Sequence, residues 1–248
     1  MTLPEAPSGP PQPNLPPLVA AVGEAHSAES LVQATRALAG ALAGALAGAA
    51  GVLPPPSPAV PTIPNPEMVT AIRTLVGLMG FNNPGAAVAA VDGLMACGAA
   101  AVEPLLEGLD NHNYGARAWA VRALAGIGDG RGLELLEEAL QGDIGPSVRR
   151  AAARGLGQLR LETLDPGSRA PVWDRCLGAL ERGSQDDEWV VRYAVVVGLE
   201  SLGLSPHGPC PAPATLMDCL ERLAQPDQEA IPVVRLRAQL ALDRLGTP

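Results

Sequence analysis

Apolar and small residues recur along the chain in a thirteen-residue frame. The copies are AAVAAVDGLMACG from Ala86, ARAWAVRALAGIG from Ala116, VRRAAARGLGQLR from Val148, VRYAVVVGLESLG from Val191 and VRLRAQLALDRLG from Val234. Positions 1, 5, 8, 9 and 12 are apolar or small in every copy. Those offsets fall on one face of a 3.6-residue helix. The ninth position is always leucine, at Leu94, Leu124, Leu156, Leu199 and Leu242, with spacings of 30, 32, 43 and 43 residues. Such spacings are those of two-helix solenoid repeats, in which no pair buries its stripe alone and each must stack on the next. Position 8 is Gly93, Ala123, Gly155, Gly198 or Ala241, small enough for neighbouring helices to approach closely. Gly98, Gly128, Gly203 and Gly246 close four copies and predict left-handed helix stops, with Arg160 in that place in the third. The pattern predicts an all-α protein, an α-solenoid of HEAT-like helix pairs with about five repeats after an N-terminal helical pair.

Each inner helix is preceded by a predicted outer helix, at Glu67–Met79, Ala99–Leu109, Gly132–Gln141, Arg169–Arg182 and Ala214–Ala224. The chain then divides into a disordered Pro-rich start (1–17), an N-terminal helical segment (18–53), a Pro-rich linker (54–66) and the repeat array (67–248). Within the helical segment, ALAGALAGALAGAAG is a tandem repeat around an uncharged run of 17 residues from Ala37 to Leu53. The run stands at the short limit for spanning a bilayer, is mostly Ala and Gly, and has no basic flank, so no membrane span is expected.

Composition narrows the partners. The net charge is −9 and none of the 17 basic side chains is lysine, which argues against nucleic acid or an anionic membrane. Aromatics are 2% of the chain, so Ala, Leu, Val and Gly pack the core. The four cysteines form no CxxC, and a reducing cytoplasm fits them. Cys97, Cys176 and Cys219 fall on core positions, Cys210 is a loop thiol beside His207, and no metal site is expected.

Two sets of arginines differ in context. Arg117, Arg149, Arg192 and Arg235 occupy position 2, with Asp110, Asp143, Asp187 and Glu229 in the turns before them. Such a set reads as a structural ladder tying turn carboxylates across repeats. Arg122 and Arg154 at position 7 and Arg150 at position 3 lack regular acidic partners and should project from the inner-helix surface, with Trp119, Tyr114, Trp189 and Tyr193. Guanidinium groups and rings together suit a flat, apolar ligand bearing carboxylates. The plainer alternative is that the rings only close gaps between repeats. His112, in the turn NHNYGAR, is a candidate acid beside Tyr114, or simply an exposed turn histidine. No catalytic triad, paired carboxylates or phosphate loop appears, so any catalysis would work by holding and orienting reactants.

NNPGAAVAAVDGL, DNHNYGARAWAVRALAGIGDGRGL and PSVRRAAARGLGQLR resemble the HEAT-repeat E/F-type phycobilin lyases of cyanobacteria, most closely the smaller F-type subunits of phycocyanobilin lyase. The resemblance covers roughly Leu18 to Leu159, and the remainder in repeat frame only; the insertion from about Gly40 to Pro64 departs from the family's shorter connection. It implies a cytoplasmic heterodimer with an E-type subunit that joins phycocyanobilin by a thioether to a cysteine of the phycocyanin alpha subunit, the bilin being substrate and no cofactor being needed. It further implies that the concave face cradles the pigment, with Arg122, Arg150 and Arg154 near its propionates and Tyr114 and Trp119 limiting ring rotation. A related lyase-isomerase carries a cysteine in the motif NHCQGN, where this chain has NHNYGA and Asn113, which favours plain attachment. A HEAT scaffold or chaperone for phycobiliprotein assembly, without enzymatic activity, is the alternative.

Overall fold

The computed structural model describes residues 13–50, 65–109, 113–209 and 213–246, with the side chains of residues 48–50 left aside. Asp110, His112, Cys210 and most of the Pro-rich start and linker lie outside them. Among the described residues, regular structure is entirely helical, and the chain divides into two compact units, Met1–Ala116 and Arg117–Pro248.

In the first unit, α1 (Leu15–Gly23) and α2 (Ala28–Ala50) form the N-terminal pair, followed by α3 (Pro66–Leu78), α4 (Pro84–Cys97) and the short α5 (Val102–Glu107). α1 begins inside the stretch read as a disordered start, because Pro16 and Pro17 stand in the first turn, where a helix needs no backbone N–H donor. Likewise Pro66 opens α3 rather than ending a linker, and the Asn65 side chain accepts the Met68 N–H at 2.8 Å. Ser27 and Ser30 exchange hydrogen bonds with each other's backbone N–H at 3.0 Å and so start α2 with a reciprocal cap. As far as Ala50 the tandem repeat is helical, and it packs through Leu38 and Leu42, both fully buried, while Gly40 and Gly44 face open space. A β-carbon at Gly93 would lie 2.5 Å from that of Ala39, so α2 and α4 touch and the N-terminal pair is itself a layer of the stack.

Two stretches, Ala28–Ala47 and Pro84–Glu107, are long and apolar enough to cross a membrane by length and composition. The second is not one helix: Gly98, at φ 57°, breaks it between α4 and α5. The first includes Glu29 and Arg36 and buries Leu38 and Leu42 in the unit.

The boundary between the units falls within α6 (Tyr114–Ile127). The second unit continues with α7 (Leu133–Gly142), α8 (Pro146–Gly157), α9 (Pro166–Gly183), α10 (Trp189–Gly203), α11 (Ala214–Ala224) and α12 (Pro232–Leu245). All five stripe positions are buried in the first four copies of the frame, whereas Leu242 and Leu245 of the fifth are half-buried. Position 8 behaves as its small size demands, since a β-carbon at Gly155 would stand 2.6 Å from the Ala125 β-carbon on α6. The tightest contact lies at Gly157, which the frame did not single out. Its β-carbon would fall 2.3 Å from the Gly198 carbonyl oxygen and 2.4 Å from the Gly198 α-carbon.

The four predicted left-handed stops resolve into two kinds. Gly98 and Gly128 have positive φ, at 57° and 69°. Gly203 instead ends α10 without positive φ, and a β-carbon there would meet a Leu245 methyl at 2.8 Å, so it is small for packing. Gly246 has φ −86°. Trp173, on α9, is the largest fully buried side chain, and its indole N–H donates to the Leu202 carbonyl at 3.1 Å.

Gly157→Ala should lower the unfolding free energy by about 1–3 kcal/mol or more, because the backbones of α8 and α10 must separate. Gly40→Ala, on an open helix face, should instead raise it by about 0.5–1 kcal/mol. Urea melts of the two variants against the parent check both signs.

Candidate ligand cleft

Within the second unit, the turns that open α8, α10 and α12 are built alike. Asp143 Oδ1 accepts the Gly145 N–H at 2.9 Å, Asp186 Oδ1 that of Glu188 at 2.9 Å, and Glu229 Oε1 that of Ile231 at 2.8 Å. The carboxylate then receives an arginine from the preceding inner helix. Arg149 donates to Asp186 through Nε at 2.6 Å and Nη2 at 2.9 Å, and Arg192 donates to Glu229 at 2.5 and 2.9 Å. The Arg117 Nε lies 3.8 Å from Asp143 Oδ2. The remaining guanidinium nitrogens of Arg149 and Arg192 turn back to carbonyls of their own turns, Asp143 at 2.8 Å and Asp186 at 2.7 Å, as Arg235 does to Glu229 at 2.7 Å. The sequence named Asp187 for the second rung, but Asp186 fills it. Asp143, Asp186 and Glu229 each precede their own repeat's arginine by six residues. Asp187 is one residue out of that register, is exposed, and offers only its carbonyl, to Arg192 at 3.0 Å.

Hydrogen bonds from Arg192 hold the buried Glu229 carboxyl below the usual carboxylate range. For Asp186, burial pushes upward, but the Arg149 guanidinium and the Glu188 N–H outweigh it and the net shift is down. Glu200 on α10 is a further buried carboxylate that the frame did not reveal. It is held down against its own burial by Arg237 and by Arg244, the latter at 2.8 Å.

The other arginines have a different fate. Among the described residues, Arg122, Arg150 and Arg154 are exposed, and no ion pair or hydrogen bond engages their side chains. Arg122 rests with its guanidinium carbon 5.9 Å from the centroid of the Trp119 ring, one helical turn back on α6. Arg150 lines a cleft of about 300 Å³ with Trp189, Val190, Tyr193 and Val233. Thus α8 supplies the cation, α10 the rings and α12 an apolar wall. Trp189 is 43% exposed and Tyr193 half-buried. Arg154 follows Arg150 by one turn of α8 but is not among the lining residues, nor are Trp119 and Arg122.

Tyr114 is the first residue of α6 and is 44% exposed. Just before it, Asn113 accepts the Ala116 N–H at 3.0 Å and donates to the Gly80 carbonyl at 3.4 Å. Asn83 caps α4 in the same manner and donates to the Ala28 carbonyl at 3.2 Å. Asn113 is therefore a helix cap that also ties two turns of the first unit, a task a cysteine side chain would perform poorly.

The sequence missed Val233, and with it the exposed Leu236 and Leu240 on α12, of which Leu236 is 72% exposed. The signal was present, because Leu236 and Leu240 hold positions 3 and 7, those of Arg150 and Arg154 on α8. Cys97, Cys176 and Cys219 are buried, and burial pushes the first two thiols up to about 11 and about 12. Among the described residues no group of three or more His, Cys, Asp or Glu is placed to hold a metal ion. The cleft is thus suited to gripping a ligand that combines a carboxylate with a flat apolar body.

Comparison with known proteins agrees with the architecture. The HEAT-repeat family matches residues 73–157 and 102–200. The chain is 50% identical over 179 residues to the bilin biosynthesis protein RpcF of Synechococcus sp. (strain WH8020), covering 72% of this chain and 83% of that protein. It is 43% identical over 235 residues to the phycocyanin alpha phycocyanobilin lyase CpcF of Synechocystis sp. (strain ATCC 27184 / PCC 6803 / Kazusa), covering 94% and 95%. Among solved structures, the complex of CpcE and CpcF of phycocyanin lyase from Nostoc sp. PCC7120 matches with a TM-score of 0.64 and 40% identity, over 70% of this chain and 98% of that one. The chain is a HEAT-repeat protein. More narrowly, it belongs to the family of phycocyanobilin lyase beta subunits.

The carboxylate pairs impose a pH dependence. Unfolded Asp and Glu titrate near about 3.9 and 4.3, and Asp186 and Glu229 titrate lower in the folded chain. Their stabilisation is therefore fully present above those unfolded values and is lost as pH falls through the folded ones. Glu229→Gln should cost about 1–3 kcal/mol at pH 7 by leaving the half-buried Arg192 guanidinium without its charged partner. The gap between variant and parent should begin to narrow below about pH 4 and shrink further as pH falls. Thermal melts across pH 3–7 measure it.

Proposed function

We propose that this chain is the F-type, beta subunit of a heterodimeric lyase. With an E-type partner, it attaches phycocyanobilin through a thioether to a cysteine of the phycocyanin alpha subunit. The observation that carries the reading is the unpaired Arg150 beside Trp189 and Tyr193 in one cleft, in a chain whose relatives over most of its length are bilin lyase subunits. A volume of about 300 Å³ is at the small end of ligand sites. The cleft therefore holds one end of an open-chain tetrapyrrole, with a propionate on the Arg150 guanidinium and the conjugated face against the rings. Arg122 and Arg154 supply further cations for the second propionate, and Trp119 restricts rotation of the pigment's rings.

The covalent step needs no oxidant. The acceptor's thiol sulfur bonds to the ethylidene carbon of ring A as the ethylidene double bond opens, and the proton lost from sulfur ends on the tetrapyrrole. The nucleophile comes from the acceptor, since the described cysteines here are buried with raised thiols. The subunit contributes proximity, orientation and protection of the bound pigment. Asn113 supports attachment without isomerisation, because that position is occupied by a helix cap. The reaction belongs in the cyanobacterial cytoplasm, where the acceptor thiol stays reduced.

The exposed leucines of α12 would equally suit a scaffold that binds a phycobiliprotein and no pigment. Such a scaffold leaves the Arg150 cleft without a purpose. Coexpression of the chain, an E-type partner, the phycocyanin alpha subunit and phycocyanobilin separates the two. The lyase reading expects a thioether adduct that needs this chain and falls at least about tenfold, roughly 1.4 kcal/mol of transition-state stabilisation, in Arg150→Ala/Trp189→Ala. Adduct formation at the parent level without the chain would refute it. A normal adduct from Arg122→Ala/Arg154→Ala would remove those two residues from the site.

A further inference from the structure

Every residue lining the Arg150 cleft lies within four positions of a ladder member. Arg150 follows Arg149. Trp189 and Val190 come three and four residues after Asp186, Tyr193 follows Arg192, and Val233 comes four after Glu229. Each carboxylate bonds in two directions at once. Asp186 receives the Arg149 fork from α8 at 2.6 and 2.9 Å while its Oδ1 accepts the Glu188 N–H at the start of α10. Glu229 receives the Arg192 fork from α10 while accepting the Ile231 N–H at the start of α12.

We infer that Arg149–Asp186 and Arg192–Glu229 are positioning pairs that set the separation of the cleft's three walls, the first pair fixing Trp189 against Arg150 and the second fixing Val233 against Tyr193. The inference rests on the cleft being the pigment site only for its effect on binding; its geometric content does not.

A planar bidentate pair fixes orientation as well as distance, which a single hydrogen bond does not. Arg149 is further constrained by the Asp143 and Ile144 carbonyls, at 2.8 and 3.4 Å, so its guanidinium cannot swing with α8 held still. Trp189 and Val233 each stand in the first turn of a helix, where the orientation of the side chain follows the cap. Loss of the pair would free the start of α10 while leaving the stripe buried below it. That separates positioning from folding. The residues directly after the ladder arginines, Arg150, Tyr193 and Leu236, are spaced 43 residues apart like the arginines themselves, so each rung places one surface side chain.

The test uses the full chain with its E-type partner, labelled with 5-fluorotryptophan, the Trp189 resonance being assigned by its loss in Trp189→Phe. Asp186→Asn keeps an acceptor for the Glu188 N–H and removes the charge, and Arg149→Gln removes the fork. Each single variant should shift or broaden the Trp189 resonance without moving that of the buried Trp173, which reports that the unit is folded. The double variant should move it no further than either single one, as for two members of one interaction. Phycocyanobilin affinity should fall about tenfold in Asp186→Asn and in Arg149→Gln, and Arg149→Lys, which keeps the charge but loses the planar fork, should not restore it. A Trp189 resonance unchanged in both single variants, or shifts that simply add, would overturn the inference. Should Arg150→Ala bind phycocyanobilin as the parent does, the cleft is not the pigment site, and the coupled resonance shifts still decide the role of the pairs.

Discussion

At Gly157 the backbone of α8 comes so close to that of α10 that a single β-carbon would have to share space with the Gly198 carbonyl. Much of the second unit follows from that contact. Where two helix backbones approach this closely only a small residue fits at the contact, which is why Gly or Ala holds position 8 of every copy. It also brings the turn that opens one inner helix within arginine reach of the next. The Arg149–Asp186 pair could not form between helices held apart by bulky side chains. Backbone approach at Gly157 accompanies the Arg149–Asp186 rung, and the Arg192–Glu229 rung carries the arrangement on to α12.

Adjacent arginines then divide the work. Arg149 and Arg150 are neighbours in sequence, yet the first is bound to two carboxylate oxygens and two carbonyls while the second stands exposed in the cleft. Position in the frame decides their fate. Position 2 points toward the turn, and position 3 toward the inner-helix surface. The first unit uses another device for the same purpose. There Asn83 and Asn113 cap inner helices and donate to carbonyls of other turns, so its turns are tied without buried charge. A neutral tie avoids the desolvation that the charged ladder must overcome.

Helix periodicity made most of this architecture legible in the sequence, because a stripe of buried positions leaves a direct trace in residue type. The leucines and small residues of the frame gave the inner helices, and arginines at positions 3 and 7 pointed to the exposed surface. What stayed hidden depends on neighbours that no single repeat contains. Gly203 looked like Gly98, yet it is small because Leu245 packs over it. Asp187 looked like the ladder acid because it carries the right charge, and only the six-residue register shared with Asp143 and Glu229 selects Asp186. Val233 belongs to the cleft through its place against another helix, a fact that composition cannot express.

The central claim is that the Arg150 cleft grips one end of the bilin. A structure of this chain with its E-type partner and bound phycocyanobilin tests it most directly. A propionate oxygen about 2.7–2.9 Å from the Arg150 guanidinium, with the conjugated system against Trp189 and Tyr193, is the predicted result. Pigment bound elsewhere, with Arg150 still unengaged and the cleft empty, would contradict it.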